Sequence, residues 1–394
     1  MGDAFDHTIV LALNSGSSSL KLALYSFCNG EVCKLASAAA EEIGGEAGKV
    51  WLRRGSKLLI DESRSCAGAT EAAQYLITVL RDNSFPIPQI VGHRIVHGGP
   101  QLREHQRITP EVLRQLEKAI VFAPLHLPPA LHVLRQAMSD FPDASHIACF
   151  DTAFHRTMPE YAARLPFANK FWEKGLRRYG FHGLSCESIV HTLGKDLAER
   201  TVIAHLGNGC SITAVRNGAS METTMGLTPT GGVIMGTRSG DLDPGVLLHL
   251  LRVERYDSEQ LQTLLNHQSG LLGISDVGSD MRRLLAASRD NPHARMAVTM
   301  FCYQIKKSLG SMAAVLGGLD LLIFAGGIGE HAPFVRGEIC SGLEHLGILL
   351  DEAANQRNDS KISSSSSRCV VRVVQSDEDL QIARHSHDLA AEPA

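Results

Sequence analysis

One hydrophobic pattern occurs twice, half a chain apart. Ile9 to Leu13 is an apolar run, Asn14 to Ser19 is a turn of Asn, Gly and Ser, and Leu20 to Tyr25 is a second run with apolar alternation. Apolar runs on both sides of a polar, Gly-containing turn predict a β-hairpin. Val202 to His205, then Leu206-Gly207-Asn208-Gly209-Cys210, then Ser211 to Val215 repeat the arrangement, and Ser211 lies 192 positions after Ser19. A strand-turn-strand repeated at that spacing predicts two related domains.

Helical patterns lie between and after the hairpins. Thr109-Pro110-Glu111 supplies an N-cap, a proline at the first helical position and an acidic first turn, so a helix is predicted to about Phe122. Pro128 to Ser139, a segment opened by Asp243-Pro244, and Ser258 to Asn266 read as further helices. Ala294 to Leu316 is the longest and stops at Gly317-Gly318, a C-cap. Strands are predicted at Ile90 to Val96, His146 to Phe150, Leu321 to Phe324 and Cys369 to Val374, the last followed by an acidic turn and a final helix. Ser363 to Ser367 reads as a surface loop. The alternation predicts an α/β protein with mixed sheets. The domain boundary is placed at Phe150-Asp151, giving domains 1–150 and 151–378, with the last helix, about 379–394, returning to the first.

Composition narrows the function. The 394 residues are too many for one small core. A net charge of −4, from 38 basic and 42 acidic residues, makes no electrostatic case for nucleic acid or an anionic membrane. No apolar run is long enough to span a bilayer, and MGDAFDHTIVLALN lacks the basic start and cleavage-like end of a secretory signal. Nine cysteines without a CxxC pair read as reduced, mostly buried thiols of a cytoplasmic protein.

The chemistry-bearing residues point to phosphate and carboxylate. A P-loop is absent: Gly48-Lys49-Val50 has Ile43 where the first glycine belongs and no hydroxyl after the lysine. Gly327-Ile328-Gly329-Glu330-His331-Ala332 follows a strand-like run, and reads either as a close approach of backbone to a flat or phosphorylated ligand or as a tight strand-to-helix turn. Successive N–H groups in the two hairpin turns form anion-binding concavities. Lys21 adds charge at the first, and Asn14 is a candidate to hold a hydrated cation through its carbonyl. Arg94 in Gly-His-Arg-Ile-Val-His-Gly-Gly and Arg238 in Met-Gly-Thr-Arg-Ser-Gly-Asp are flanked by glycines that leave them free to project. Two such arginines suit a bidentate grip on carboxylate or phosphoryl oxygens. His126 sits in a proline-rich frame, His182 in Tyr-Gly-Phe-His-Gly, and His155 after Asp-Thr-Ala-Phe; none matches HExxH spacing. Asp151 ends a strand, a position for a metal-facing carboxylate, and Glu378 reads as a second one or as a charge at a helix N-terminus.

These segments together resemble the acetate kinase family. LNSGSSSLK, GHRIVHGG, APLH, FDTAFH, RYGFHG, HLGNGCS, MGLTPTGG, MGTRSGDLDP, SGLLGISDVGSDMR, FAGGIGEH and SDEDLQIAR run in the family's order from Leu13 to Arg384. The resemblance implies two duplicated ribonuclease H-like domains with ATP in the cleft between them, in the superfamily of acetate and sugar kinases, heat-shock ATPases and actin. It implies Mg²⁺ (or Mn²⁺) at Asn14 and Glu378, and ATP or ADP phosphates at Lys21 and at His205, Leu206, Gly207, Asn208 and Gly209. The nucleoside end falls to Asp280, Met281 and Arg282 with Gly327, Ile328, Gly329, Glu330 and His331. Arg94 holds the substrate carboxylate, and His182 and Arg238 stabilise the transition state with His126 close by. Asp151 sits beside the metal and the transferring group, and Val96, Leu125, Phe181 and Pro229 form a small methyl pocket. The implied reaction is reversible phosphoryl transfer from ATP to acetate by a homodimer. Propionate or another short carboxylate, or a nucleotide-binding paralogue with weakened catalysis, are the alternatives. The chain departs from the family pattern at Leu127, at Pro129-Ala130, where a nearby Asn is missing, and at Leu184 and Cys186. These departures are expected to bear on rate and exact substrate rather than on reaction class.

Overall fold

A computed structural model describes residues 7–16, 19–45 and 47–392. Ser17 and Ser18 of the first turn, the first six residues, Glu46, and Pro393 and Ala394 beyond the final helix lie outside the described residues. The chain forms two compact units. The first comprises Met1–Ala153, Gly183–Ser188 and Asp377–Ala394; the second comprises Phe154–His182 and Ile189–Ser376.

The sheet of the first unit contains β1 (Thr8–Ser15), β2 (Ser19–Cys28), β3 (Glu31–Glu41), β4 (Lys49–Arg54), β5 (Lys57–Ser63), β6 (Ile90–Ile95), β7 (Gln106–Arg107) and β8 (Ser145–Phe150). Their order is β5-β4-β3-β2-β1-β6-β8-β7. The second unit holds β9 (Arg200–Leu206), β10 (Cys210–Arg216), β11 (Ala219–Thr223), β12 (Leu321–Ala325) and β13 (Val370–Val373), in the order β11-β10-β9-β12-β13. In the first sheet β1, β2 and β3 are antiparallel, β6 is parallel to β1, and β8 is parallel to β6. In the second, β9, β10 and β11 are antiparallel, with β12 parallel to β9 and β13 to β12. The five strands β3-β2-β1-β6-β8 therefore have the same order and sense as the whole second sheet. Both predicted hairpins are the first two strands of that shared, ribonuclease H-like topology.

Local chemistry sets the helix ends. Thr109 accepts from the Val112 N–H at 3.2 Å, and Asp243 from that of Gly245 at 2.9 Å. Asn291 caps Pro292–Leu316, which ends at Gly317 in the left-handed region at φ 70°. Strands β3 to β5 were not legible. Alanines form the buried stripe of β3, and β4 and β5 carry charge near the sheet edge, so neither reads as a typical strand. Of the serine run, Ser363 is buried and bridges to Leu350, while Ser365 and Ser366 are exposed.

The first unit packs helix Ala69–Asp82 through Leu76, Ile77 and Leu80 onto one face of its sheet. The final helix, Glu378–Ala391, buries Ile382 and Ala383 with Val10, Ala12, Ala23 and Tyr25 on the other. Gly92 on β6 makes that packing possible. A Cβ there would lie 2.2 Å from Ser386 Oγ and 2.6 Å from Ile382 Cγ2. Gly92→Ala is expected to destabilise the first unit by about 1–3 kcal/mol, the cost of overpacking a close interface. Urea unfolding followed by Trp51 fluorescence in a Trp172→Phe background measures it.

Candidate active site

Adjacent strand ends in the first unit bring three predicted residues together. Arg94 is on β6, Asn14 near the end of β1, and Asp151 directly after β8, its N–H bonded to Ile95 O at 3.0 Å. Arg94 Nε donates to both oxygens of Asp151 (3.0 and 3.1 Å), and Nη2 donates to Oδ2 at 2.6 Å. Arg94 Nη1 donates to Asn14 Oδ1 at 3.1 Å and to the Ser15 carbonyl at 3.3 Å. The arginine expected to project freely is thus clamped, and Gly92 serves helix packing rather than its mobility. Burial pushes the Asp151 carboxyl up from its ordinary value, opposed by the paired guanidinium.

The other face of the Asn14 amide meets the final helix. Its Nδ2 donates to Glu378 Oε2 at 3.2 Å and to Asp379 Oδ1 at 3.0 Å. Glu378 is the first residue of that helix, which is the reading of a charge at a helix N-terminus. Asp379 was missed, because a carboxylate run at a helix start reads as capping. Burial raises its carboxyl, and the Asn14 hydrogen bond and the Lys21 charge oppose the shift. Lys21 pairs with Asn14 across the hairpin and is exposed. Val96 is buried, Leu125 exposed and His126 half-buried in this unit. Leu127 lies in a core cluster with Leu131 and Phe150, and Leu184 in one with Val10 and Ile147, so two of the departures from the family pattern are packed apolar side chains. Cys186 is buried as well.

A second constellation forms in the second unit. His182 takes the left-handed conformation (φ 59°, ψ 26°) at the N-cap of helix Gly183–Leu193. Its Nδ1 lies 3.0 Å from Ser211 Oγ, and its ring lies 4.4 Å from that of His205, which pairs with Ser211 across β9 and β10. A Cβ on Gly209 would sit 3.1 Å from His182 Nε2 and 3.5 Å from Arg238 Nη1. The glycine therefore lets the hairpin turn lie against both. Arg238 Nη1 donates to the Pro229 carbonyl at 3.0 Å, and Gly236 N–H to Asn208 O at 3.0 Å. His182, His205, Asn208, Gly209, Pro229 and Arg238 are brought together, with Phe181 buried beside His182 in sequence.

Strand β12 turns directly into helix Gly326–His331. Gly326 has φ 75°, and a Cβ there would meet the Leu206 carbonyl at 2.7 Å, so the strand-to-helix turn is tight at Gly326, whereas a Cβ on Gly327 would meet nothing within 4 Å. Glu330 Oε1 accepts from Gly326 N–H at 3.1 Å, and burial raises its carboxyl. Arg336, missed from the sequence, is fully buried and donates to the carbonyls of Gly329 (2.8 Å) and Glu330 (3.1 Å). Burial brings its guanidinium down to about 10. Its signal was an arginine inside the stripe Ala332, Val335, Ile339, Cys340 at helical spacing. Elsewhere, Asp280 caps helix Met281–Ala287 and pairs with Arg282 at 2.8 Å, which draws its carboxyl to about 2; Met281 is buried and His331 is exposed.

Two histidine groups in the first unit were also missed. His105 and His385 bracket Glu187, at 3.2 and 2.9 Å from Oε2, a set with the ligand types of a metal site. Yet Phe150 N–H donates to His105 Nδ1 at 2.9 Å, so the ring hydrogen is on Nε2, toward Glu187. A metal at Nε2 requires that hydrogen on Nδ1, against another donor, so the trio is an internal tie. Burial would raise the Glu187 carboxyl, but the two imidazoles outweigh it and hold it at about 2. The second group is the pair His93 and His146, 2.9 Å apart, with His146 Nε2 also 3.1 Å from the Phe141 carbonyl. Burial holds both well below or below the usual imidazole range, and His146 adds to the depression at His93. The unfolded chain takes up these protons near pH 6.5 and the folded unit only at lower pH. Stability present above that pH is therefore lost as pH falls, by up to about 1.4 kcal/mol per pH unit for each imidazole kept neutral. Urea unfolding between pH 7.5 and 5.5 checks this, and a His93→Gln variant is expected to give a shallower decline.

Two α/β units of one ribonuclease H-like topology, each with a charged cluster at its hairpin, define the class of the protein. The chain belongs to the acetokinase family, whose model matches residues 9–384. It is similar to the acetate kinase of Methylocella silvestris, 40% identical over 96% of both chains. It is equally similar to the propionate kinase of Citrobacter rodentium, 40% identical over 95% of both. Among solved structures, Porphyromonas gingivalis acetate kinase superposes with a TM-score of 0.86 at 36% identity, covering 97% of this chain and all of that one.

Proposed function

We propose that the protein is an acetate kinase, transferring the γ-phosphoryl group of ATP reversibly to acetate to give acetyl phosphate and ADP. The observation that carries this reading is the bidentate Arg94–Asp151 pair: both oxygens of the buried carboxylate are engaged by a guanidinium. Such a carboxylate is a poor general base. An acceptor with a pKa near 4 to 5 is already ionised at pH 7 and needs none, unlike a sugar hydroxyl. The demand is then to offset repulsion between two anions and to align them.

In this reading Arg94, oriented by Asp151 and Asn14, grips the acetate carboxylate, and Val96, Leu125, Phe181 and Pro229 receive its methyl group. Lys21 and His205 to Gly209 bind the phosphates, and Asp280, Met281 and Arg282 with Gly327 to His331 bind the nucleoside. His182 and Arg238, with His126, donate to the phosphoryl oxygens as charge builds. The carboxylates of Glu378 and Asp379, drawn together by one amide, are the hard oxygen donors that suit Mg²⁺ or Mn²⁺. Asn14, whose Oδ1 already accepts from Arg94, orients them. When bound, the ion neutralises phosphate charge.

Propionate is the second reading, favoured by the equal identity to a propionate kinase. Apolar side chains around a methyl group distinguish one methylene by only about 1–3 kcal/mol. The test is ATP, Mg²⁺ and hydroxylamine with acetate, propionate or butyrate, detecting the hydroxamate. Turnover in the order acetate, propionate, butyrate supports the proposal. ATP hydrolysis indifferent to carboxylate would leave a nucleotide-binding paralogue instead.

We also propose a homodimer. Met296, Met300 and Tyr303 form an exposed stripe on Pro292–Leu316, and Val246, Leu248 and Leu251 are exposed on Pro244–Arg252. A second copy of the chain covers such faces. A cytoplasmic location fits nine free thiols. No helix among the described residues is long and apolar enough to cross a membrane.

A further inference from the structure

His155 is buried in the second unit, outside the groups assigned to substrate or nucleotide. It sits in the short turn Ala153–Thr157, which Thr157 Oγ1 ties to β11 by donating to Ser220 O at 3.0 Å. One ring nitrogen, Nδ1, is 2.9 Å from Ser220 Oγ; the other, Nε2, is 2.9 Å from the carbonyl of Phe181. A carbonyl only accepts, so Nε2 carries hydrogen and donates. The ring also lies against Gly180, where a Cβ would be 2.6 Å from both Cγ and Cδ2. His155 therefore grips the backbone at Gly180 and at Phe181, the two residues before His182.

That grip bears on one torsion. The Phe181 carbonyl belongs to the peptide plane that ends at the His182 nitrogen, and the rotation of that plane about N–Cα is the φ of His182. His182 holds φ 59°, a conformation uncommon for non-glycine residues and disfavoured by the contact of Cβ with the following carbonyl, so fixed partners help to hold it. We infer that His155 is a positioning residue. By fixing the Phe181 carbonyl it holds His182 in the left-handed conformation that aims its imidazole past Ser211 and Gly209 toward the phosphoryl group. The inference rests on the kinase reading above, in which His182 meets the transferring group.

The experiment measures kcat, KM for ATP, KM for acetate and thermal unfolding in five variants. They are His155→Gln, His155→Asn, Ser220→Ala, His182→Ala and the double variant His155→Asn/His182→Ala. Gln places an amide N–H where Nε2 stands; Asn reaches only the Nδ1 position. Misplacing His182 by an ångström is expected to cost His155→Asn about 10²-fold in kcat with KM for ATP nearly unchanged. His155→Gln recovers most of that loss. The double variant is no slower than His182→Ala alone, because His155 acts through His182. Ser220→Ala, which loosens the ring without removing the Nε2 bond, is expected to lose about tenfold in kcat, and decides the matter if the Asn variants do not fold.

Equal kcat in the Gln and Asn variants, additive losses in the double variant, or a normal Ser220→Ala enzyme would each overturn the inference. A wild-type protein without carboxylate kinase activity would instead overturn the functional reading.

Discussion

Arg94→Ala is expected to lower kcat/KM by at least about 3 kcal/mol, the scale of removing one donor to a developing charge. Geometry adds a second loss. Asp151 is 1% exposed, and without the guanidinium that takes both its oxygens it is left buried and unpaired, with burial free to push its carboxyl further up. Breaking a buried pair by removing one partner costs about 3–5 kcal/mol of stability. Activity must therefore be normalised to folded protein, measured by circular dichroism on the same sample. Arg94→Lys separates the two effects. It keeps a charge beside Asp151 but loses the fork that reaches Asp151, Asn14 and Ser15 at once. It is expected to fold and to remain slow, with much of the loss in KM for acetate. Full activity in the alanine variant would remove Arg94 from the site.

Arg238→Ala is expected to cost a similar amount, at least about 3 kcal/mol in kcat/KM, with little loss of stability. Its guanidinium is half-buried and donates to the Pro229 carbonyl. Losing an interaction made only in the transition state lowers kcat and kcat/KM together and leaves KM for ATP in place. A rise in KM for ATP with normal kcat would make Arg238 a ground-state phosphate ligand instead.

The two arginines also mark how far the sequence reached. Both hairpins, the long helix ending at Gly317 and the strands β6, β8 and β12 were legible, because each is a local pattern of apolar spacing closed by Gly, Pro or a capping side chain. The repeat of Ser19 at Ser211 disclosed the duplicated topology for the same reason. Arg94 and Arg238 were found as arginines among glycines, although the glycine at 92 turned out to make room for Ser386 and Ile382.

Residue order along the chain determined the kinds of element, their repetition and the supply of phosphate-seeking groups, since helix period, strand alternation and turn chemistry act within a few residues. Only the tertiary structure decided who is partnered. Asp151 with Arg94, Asn14 with Glu378 and Asp379, Glu187 with His105 and His385, and Arg336 with the Gly329 carbonyl are pairs made by strand ends and helices distant in sequence, except the last. Their protonation and orientation follow from burial and from who stands opposite, which no local pattern carries.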